Sequence, residues 1–330
     1  MVWRINFSKF FYLSSTNFLK EMVKYIIEDK MILKYMGMGG NTMFFGAIEA
    51  GGTKFVCGIG TKSGELIERV SFPTELPHET MKNVISFFKG KDIEAIGIGC
   101  FGPIDLNKNS ETYGYITSTP KTAWKNFNLV GEIKKNFDIP VYFDTDVNAA
   151  AFGEYVWGAG KDLKSSIYLT VGTGIGGGAV VEGKLVHGML HPEMGHIFVN
   201  RHPRDKFVGN CPFHGGNCLE GMASGPALER RWGMKGVDIP DDHPAWEMEG
   251  YYIAHALVNY ILVLSPEKIM LGGGVMREKH LFPIIRKKVV QLLNGYIQTE
   301  NILKNIDEYI VPPALGEDAG ILGALALCFK

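Results

Sequence analysis

One pattern of strands and glycines occurs twice in this chain, and it constrains the fold more than any other feature. Residues 44–50 are predicted to form a strand, residues 51–54 a glycine turn, and residues 55–60 a returning strand. The same order occurs again at 166–171, 172–178 and 179–181. Strands that alternate with helices and glycine loops indicate an α/β fold, here with one hairpin in each of two lobes.

The rest of the chain supports this organisation. Further strands are predicted at 66–71, 93–98, 141–144 and 268–271, and helices at 78–88, 148–156 and 246–264. A third glycine segment follows the strand at 268–271, and residues 316–320 lead into a last helix.

The glycine loops predict a nucleotide cleft. A loop without side chains exposes backbone N–H groups, a threonine adds a hydroxyl, and Lys54 adds a positive charge, which together suit a triphosphate with Mg²⁺. Each loop alone is a common hairpin turn, so the prediction rests on their combination. The expected nucleotide contacts are Gly51, Gly52, Thr53, Lys54, Thr173 and Gly174 at the phosphates, and Gly272, Gly273 and Gly274 facing the adenosine.

A second cluster predicts a metal site. Cys211, His214 and Cys218 lie in one short loop, and His196 precedes them by 15 residues. Four donors of this kind suit a tetrahedral zinc ion, and with all four positions filled by protein the zinc is structural. The alternative is a set of buried or reactive cysteines.

Asp146 is the candidate general base. It follows a predicted strand and precedes a helix, so it could accept a proton from a substrate hydroxyl or simply cap the helix. Glu193 and Glu220 flank the zinc donors. As a carboxylate pair they are expected to bind neighbouring sugar hydroxyls, and the alternative is that they are surface residues.

Composition excludes some classes of function. The 330 residues carry a formal net charge of −1, which gives no basic surface for nucleic acid or anionic membrane. No apolar run approaches the roughly 20 residues that span a bilayer. Five cysteines, an odd number, argue against a secreted disulfide framework, so we expect a cytoplasmic protein.

Residues 1–42 differ from the rest of the chain, because they are rich in aromatic and basic residues and contain no glycine before Gly37. Residues 17–36 show the apolar spacing of a helix. The codons for Gly39 and Gly40 can spell a ribosome-binding sequence a few bases before Met43. We therefore expect translation to start near Met43 and residues 1–42 to be a leader outside the core.

From Met43 to Lys330 the chain resembles the ROK family of sugar kinases, which have the two-lobed, actin-like (ribonuclease-H-like) ATPase fold with a central cleft. Its phosphate loops match 49–54 and 170–176, its catalytic aspartate matches Asp146, and its sugar and zinc signatures match 193–196 and 211–220. The resemblance implies a first lobe of residues 43–147 with 316–330, and a second of residues 148–315. A cytoplasmic homodimer is expected.

Three departures from the family pattern point to a subfamily. Glu49, Thr145 and His214 stand where many members have Asp, Asn and Cys. Together with 114–121 and 191–193 they resemble the bacterial fructokinase branch, which implies that ATP phosphorylates fructose at O6 to give fructose 6-phosphate.

The resemblance also implies roles for single residues. Asp146 would deprotonate the sugar, while Thr145, Glu193, His196 and Glu220 would hold it. The alternatives are a kinase for mannose, glucose or an N-acetyl hexosamine, and a sugar-sensing regulator that does not catalyse. The latter resembles this chain but carries a DNA-binding domain ahead of the kinase-like region.

Overall fold

A computed structural model describes residues 42–330, of which Phe44–Lys330 form one compact unit. The predicted leader, apart from Thr42, lies outside the described residues, and so does its expected helix at 17–36. Among the described residues, no helix is both long enough and apolar enough to cross a membrane.

The described chain contains twelve strands and ten α-helices. The strands are β1 (Phe44–Ala50), β2 (Lys54–Thr61), β3 (Leu66–Pro73), β4 (Ile96–Cys100), β5 (Tyr115–Ile116), β6 (Phe127–Asn128), β7 (Val141–Thr145), β8 (Ser166–Val171), β9 (Ile175–Val181), β10 (Lys184–Leu185), β11 (Lys268–Gly272) and β12 (Ile310–Val311). The helices are α1 (Pro77–Phe88), α2 (Leu129–Asn136), α3 (Asp146–Trp157), α4 (Leu219–Ala223), α5 (Gly225–Trp232), α6 (Ala245–Leu264), α7 (Leu281–Leu293), α8 (Glu300–Leu303), α9 (Ile306–Tyr309) and α10 (Ala319–Ala326).

Two five-stranded sheets repeat one topology. The first has the order β3-β2-β1-β4-β7 and the second β10-β9-β8-β11-β12. In each sheet the first three strands are antiparallel neighbours and the last two join in parallel. Both predicted hairpins are confirmed as the pairs β1–β2 and β8–β9, so the repeated sequence pattern corresponds to a repeated sheet.

Two predicted boundaries were wrong. Strand β4 begins at Ile96 rather than at 93, and the second turn contains only 172–174 because β9 already begins at Ile175. The glycines of β9 are strand residues that allow close packing of α3, since a Cβ on Gly178 would lie 2.4 Å from the carbonyl oxygen of Val147. A run of glycines can therefore belong either to a turn or to a strand against which another element packs closely. The sequence alone does not distinguish the two.

Helices α3 and α10 pack against each other and contact both sheets. Helix α3 contacts β4, β8 and β9, and α10 contacts β1, β2 and β4. The two helices approach through glycines: a Cβ on Gly323 would lie 2.1 Å from the carbonyl oxygen of Ala149, and one on Gly153 would lie 2.8 Å from Cα of Gly323. Neither helix can carry a side chain at this contact.

The buried carboxylate of Glu154 fixes the other end of α3. It accepts hydrogen bonds from the backbone N–H groups of Ala159, Ala314 and Leu315, at 2.7, 3.1 and 2.7 Å. Because 314–315 lead into α10, this contact also fixes the approach of that helix.

Gly323→Ala is expected to lower the free energy of unfolding by roughly 3 kcal/mol, since the new methyl group would overlap a backbone oxygen that cannot move alone. Urea unfolding measures the change. Gly236→Ala is the matched control, because a Cβ there meets no atom within 4 Å. Equal stability of the two variants would contradict the close packing of α3 and α10.

Candidate active site

A cavity of about 450 Å³ adjoins the N-terminus of α3. Five predicted site residues line it: Lys54, Asp146, Gly272, Gly273 and Gly274. Both sheets contribute to its wall, because Lys54 begins β2 and Gly272 ends β11. The cavity combines a cation, a carboxylate and a glycine-lined edge, as expected for a polar, charged ligand.

The first glycine turn connects β1 to β2 beside this cavity. The N–H of Gly51 donates to the carbonyl of Lys54 at 3.0 Å, and the carbonyl of Gly51 accepts from Oγ1 of Thr74 at 2.8 Å. Gly52 is half-buried, while Thr53 and Lys54 are exposed. The turn is therefore held from behind and presents its polar side chains outward.

The second glycine turn lies between the cavity and the zinc candidates. The N–H of Gly172 donates to the carbonyl of Gly174 at 2.9 Å, which leaves Thr173 and Gly174 exposed at the tip. On one side a Cβ on Gly172 would lie 3.6 Å from the amide nitrogen of Gly274. On the other a Cβ on Gly174 would lie 2.9 Å from Oε2 of Glu220.

Asp146 is the first residue of α3 and is not its cap. The preceding Thr145 caps the helix, because its Oγ1 accepts from the N–H of Asn148 at 3.1 Å. The alternative interpretation of Asp146 as a capping aspartate is therefore wrong. Thr145 is buried and uses one lone pair in the cap, and its predicted sugar contact stays a prediction.

The environment of Asp146 makes its carboxyl basic. Burial, together with the charges of Glu49 and Glu193, raises its pKa to about 7, although the N–H of Val147 stabilises the carboxylate at 2.9 Å. A carboxyl that titrates near neutrality can accept a proton during a reaction, since the usual carboxylate is too weak a base.

Glu49, which the family resemblance includes in the first phosphate loop but which was not among the predicted site residues, also lines the cavity. Burial raises the pKa of its carboxyl against the opposing charges of Lys54 and Arg69. A Cβ on Gly320 would lie 2.4 Å from Oε1 of Glu49, so that glycine makes room for the carboxylate at the start of α10. The available signal was a charged residue within the otherwise apolar β1.

The four predicted metal ligands lie together. The donor atoms of His196, Cys211, His214 and Cys218 are all within 4.8 Å of one another. Three sulfur-to-nitrogen distances are 3.5, 3.7 and 3.9 Å. A tetrahedral zinc site with ordinary bond lengths has such edges of about 3.6 Å, so the donor set fits zinc.

The thiol of Cys218 also needs a cation to ionise. Burial, Cys211 and Glu220 raise its pKa to about 11, against an opposing hydrogen bond from the N–H of Gly221. Thiolate is the form that binds metal, so metal binding would supply the missing positive charge.

Glu193 and Glu220 flank this cluster in different ways. Glu220 accepts from the N–H of Ile175 through Oε2 at 2.9 Å, and its Oε1 lies 3.8 Å from Nε2 of His196. The other nitrogen of His196, Nδ1, faces the cysteine sulfurs. Glu193 is exposed, and its charge acts on Asp146.

Asp146→Asn is expected to stabilise the protein, with an effect that grows from about pH 4 to about pH 7. A carboxyl whose pKa is raised in the folded state destabilises the fold increasingly as the pH rises from its unfolded-state pKa to that raised pKa, and the loss is complete above it. At pH 8 the gain should be on the order of 2 kcal/mol, less than the full shift implies because the carboxyl borders an open cavity. Thermal or urea unfolding at pH 5 and pH 8 measures it.

Asp144→Asn is the contrasting control. Burial of Asp144 acts to raise its pKa, but the hydrogen bond from His187 and the charge of Lys330 outweigh it and lower the pKa. Its carboxylate therefore stabilises the fold above the unfolded-state pKa, and the Asn variant should be less stable at both pH values. A pH-independent effect of Asp146→Asn would contradict the raised pKa.

Proteins similar to this chain are known. A protein of Bacillus subtilis (strain 168) is 53% identical to it over 285 residues, which cover 86% of this chain and 95% of the relative. The fructokinase of Pediococcus pentosaceus is 48% identical over 285 residues, covering 86% of this chain and 97% of that protein. The crystal structure of a ROK hexokinase from Thermus thermophilus superposes with a TM-score of 0.70 at 26% identity, covering 86% of this chain and 97% of that one.

The sequence profile of the ROK family matches residues 45–330, a range that spans nearly all of the described chain. The chain therefore has the ROK kinase fold and belongs to the ROK family.

Proposed function

We propose that this protein transfers the γ-phosphoryl group of ATP to O6 of fructose. The observation that carries the proposal is the raised pKa of the Asp146 carboxyl. This carboxyl lines the glycine-lined cavity and also lies near enough to Glu193 to be affected by its charge. The choice of sugar rests on relatives called fructokinases, which are 40–48% identical over nearly their whole length.

ATP is proposed to occupy the cavity. Its adenosine would lie toward Gly272, Gly273 and Gly274, and its phosphates would bind between the two glycine turns. Lys54, Thr53 and Thr173 can contact phosphate oxygens because their side chains are exposed at or beside the tips of the turns. Fixed donors at both ends of a triphosphate position it and offset the charge that builds up during transfer.

The carboxylates of Asp146 and Glu49 offer the hard oxygen donors that Mg²⁺ prefers. When bound, Mg²⁺ would neutralise negative charge on the phosphates. A bound cation would also favour the ionised forms of these two carboxyls, whose pKa values are raised without it.

Asp146 is proposed to act as the general base. It would orient the sugar O6 hydroxyl and accept its proton as that oxygen attacks the γ-phosphorus, and the bond from phosphorus to the ADP oxygen would break. A pKa near 7 suits this task, because both forms of the carboxyl are then populated near neutral pH and the ionised form is basic enough to take the proton.

The sugar is proposed to lie against Glu193, Glu220 and His196. Glu220 already accepts from Ile175 and so has a fixed orientation. His196 points one nitrogen at the thiols and the other toward Glu220, so it can bind metal and still help to hold the carboxylate that faces the sugar. Thr145 is a proposed minor contact through its hydroxyl proton.

Zinc is proposed to be structural, held by His196, Cys211, His214 and Cys218. The two cysteines are buried, and Cys218 directly precedes α4, which carries Glu220. A metal at this point would fix α4 and the 194–196 turn together, and with them two of the proposed sugar ligands.

We further propose that the fold is the two-lobed, actin-like (ribonuclease-H-like) ATPase fold, with lobes at 43–147 plus 316–330 and at 148–315. The equal topology of the two sheets supports this division. The expected homodimer stays a prediction.

Assay of a hexose panel with MgATP tests the function. Fructose should be the best substrate among fructose, mannose, glucose and N-acetyl hexosamines, and Asp146→Asn should lower kcat at least about a hundredfold while sugar affinity stays near normal. The activity of the unchanged enzyme should fall as the pH drops below about 7, where Asp146 becomes protonated. Preference for another hexose would replace the proposed substrate, and near-normal turnover of the variant would remove Asp146 from the chemistry.

Cys218→Ser should lose zinc and weaken sugar binding by about tenfold, because α4 and Glu220 would lose their anchor. Metal content by mass spectrometry and sugar affinity by calorimetry measure the two effects. Cys328→Ser makes the same chemical change outside the cluster and should alter neither. Unchanged sugar affinity in a protein shown to be metal-free would contradict the structural role of zinc.

A further inference from the structure

His191 lies between Glu193 of the proposed sugar site and the segment that follows β4, which is distant in sequence. Its side chain is only 4% exposed. On one side it contacts the segment that follows β4, where a Cβ on Gly102 would lie 3.4 Å from the ring. On the other side it faces Glu193, two residues along the chain.

The contact with the first segment determines which ring nitrogen carries the proton. The backbone N–H of Ile104 donates to Nε2 of His191 at 3.3 Å. A nitrogen that accepts a hydrogen bond has no proton of its own, so the neutral ring carries its proton on Nδ1. The backbone thus determines the tautomer of a buried side chain.

The proton on Nδ1 faces the carboxylate of Glu193. Nδ1 lies 3.4 Å from Oε1, at the outer limit of a hydrogen bond. Contacts of this kind commonly shorten when substrate binds. Glu193 is otherwise free to change rotamer, because its side chain is 53% exposed. A buried donor on a fixed ring limits that freedom.

We propose that His191 is a positioning residue that holds the Glu193 carboxylate toward the sugar, as part of the function proposed above. The ring is anchored by the chain that follows β4 of the first sheet, whereas Glu193 leads into the 194–196 turn beside the zinc candidates. His191 thereby ties the orientation of one sugar ligand to the other side of the cleft. It contacts no substrate itself.

Two amide substitutions separate the two contacts of the ring. In His191→Asn the amide nitrogen takes the place of Nδ1 and can still donate to Glu193, while the acceptor for Ile104 is lost. In His191→Gln the amide oxygen can take the place of Nε2 and accept from Ile104, while the donor to Glu193 is lost. Each variant therefore removes one contact and keeps the other.

The proposal predicts that His191→Gln raises the KM for fructose about tenfold and leaves the KM for ATP unchanged, the scale of one hydrogen bond to a charged group. His191→Asn should stay within about threefold of the unchanged enzyme. A larger increase in the KM for fructose in His191→Asn than in His191→Gln would overturn the proposal, because the ring would then act only as support for Ile104. Equal loss in both variants with equally lowered Tm would overturn it too.

A double-mutant cycle adds a readout that a structural role would not change. In a Glu193→Gln background, His191→Gln should cost little further sugar affinity, measured by calorimetry without nucleotide. Additive losses would overturn the proposal.

The tautomer is measured without any substrate. Nitrogen-15 NMR of His191 should show the proton on Nδ1, and a proton on Nε2 would overturn the proposal. If the unchanged enzyme prefers another hexose, the proposed substrate fails, and the same cycle with that hexose still decides the role of His191.

Discussion

The close packing of α3 against α10 is the contact on which the rest of the structure depends. Gly153 and Gly323 bring the two backbones together, and each helix touches strands of the sheets beside it. Asp146 begins α3, while Ala319 and Gly320 at the start of α10 line the cavity. The position of the candidate base relative to the glycine turns therefore follows from a contact that tolerates no side chains.

Burial acts to raise the pKa of two neighbouring carboxyls, but the groups around them make the net shifts opposite. Asp144 is buried with partners, His187 at 2.9 Å and Lys330 at 3.0 Å, so its pKa is lowered and it stabilises the fold. Asp146 is desolvated at the wall of the cavity and lies near the charges of Glu49 and Glu193, so its pKa is raised and its ionised form destabilises the fold. Such a stability cost is typical of catalytic groups, whose charge is kept available for reaction rather than neutralised.

Local patterns predicted much of this structure. The two hairpins follow from alternating apolar residues around glycine turns, and the grouping of His196, Cys211, His214 and Cys218 follows from short spacing and donor chemistry. Contacts between distant residues were not predictable in this way. The hydrogen bond from Ile104 to His191 joins residues 87 positions apart. Thr145 rather than Asp146 caps α3, and because both residue types can cap a helix, the sequence did not distinguish them.

The tip of the second glycine turn has a consequence for evolution. A Cβ on Gly174 would meet Oε2 of Glu220, the atom that also binds the backbone of Ile175. The Glu220 carboxylate, which is proposed to face the sugar, and the turn, which is proposed to bind phosphate, thus share one contact. A side chain at position 174 would therefore displace the Glu220 carboxylate as well as alter the turn, so a lineage could not replace this glycine without also changing Glu220.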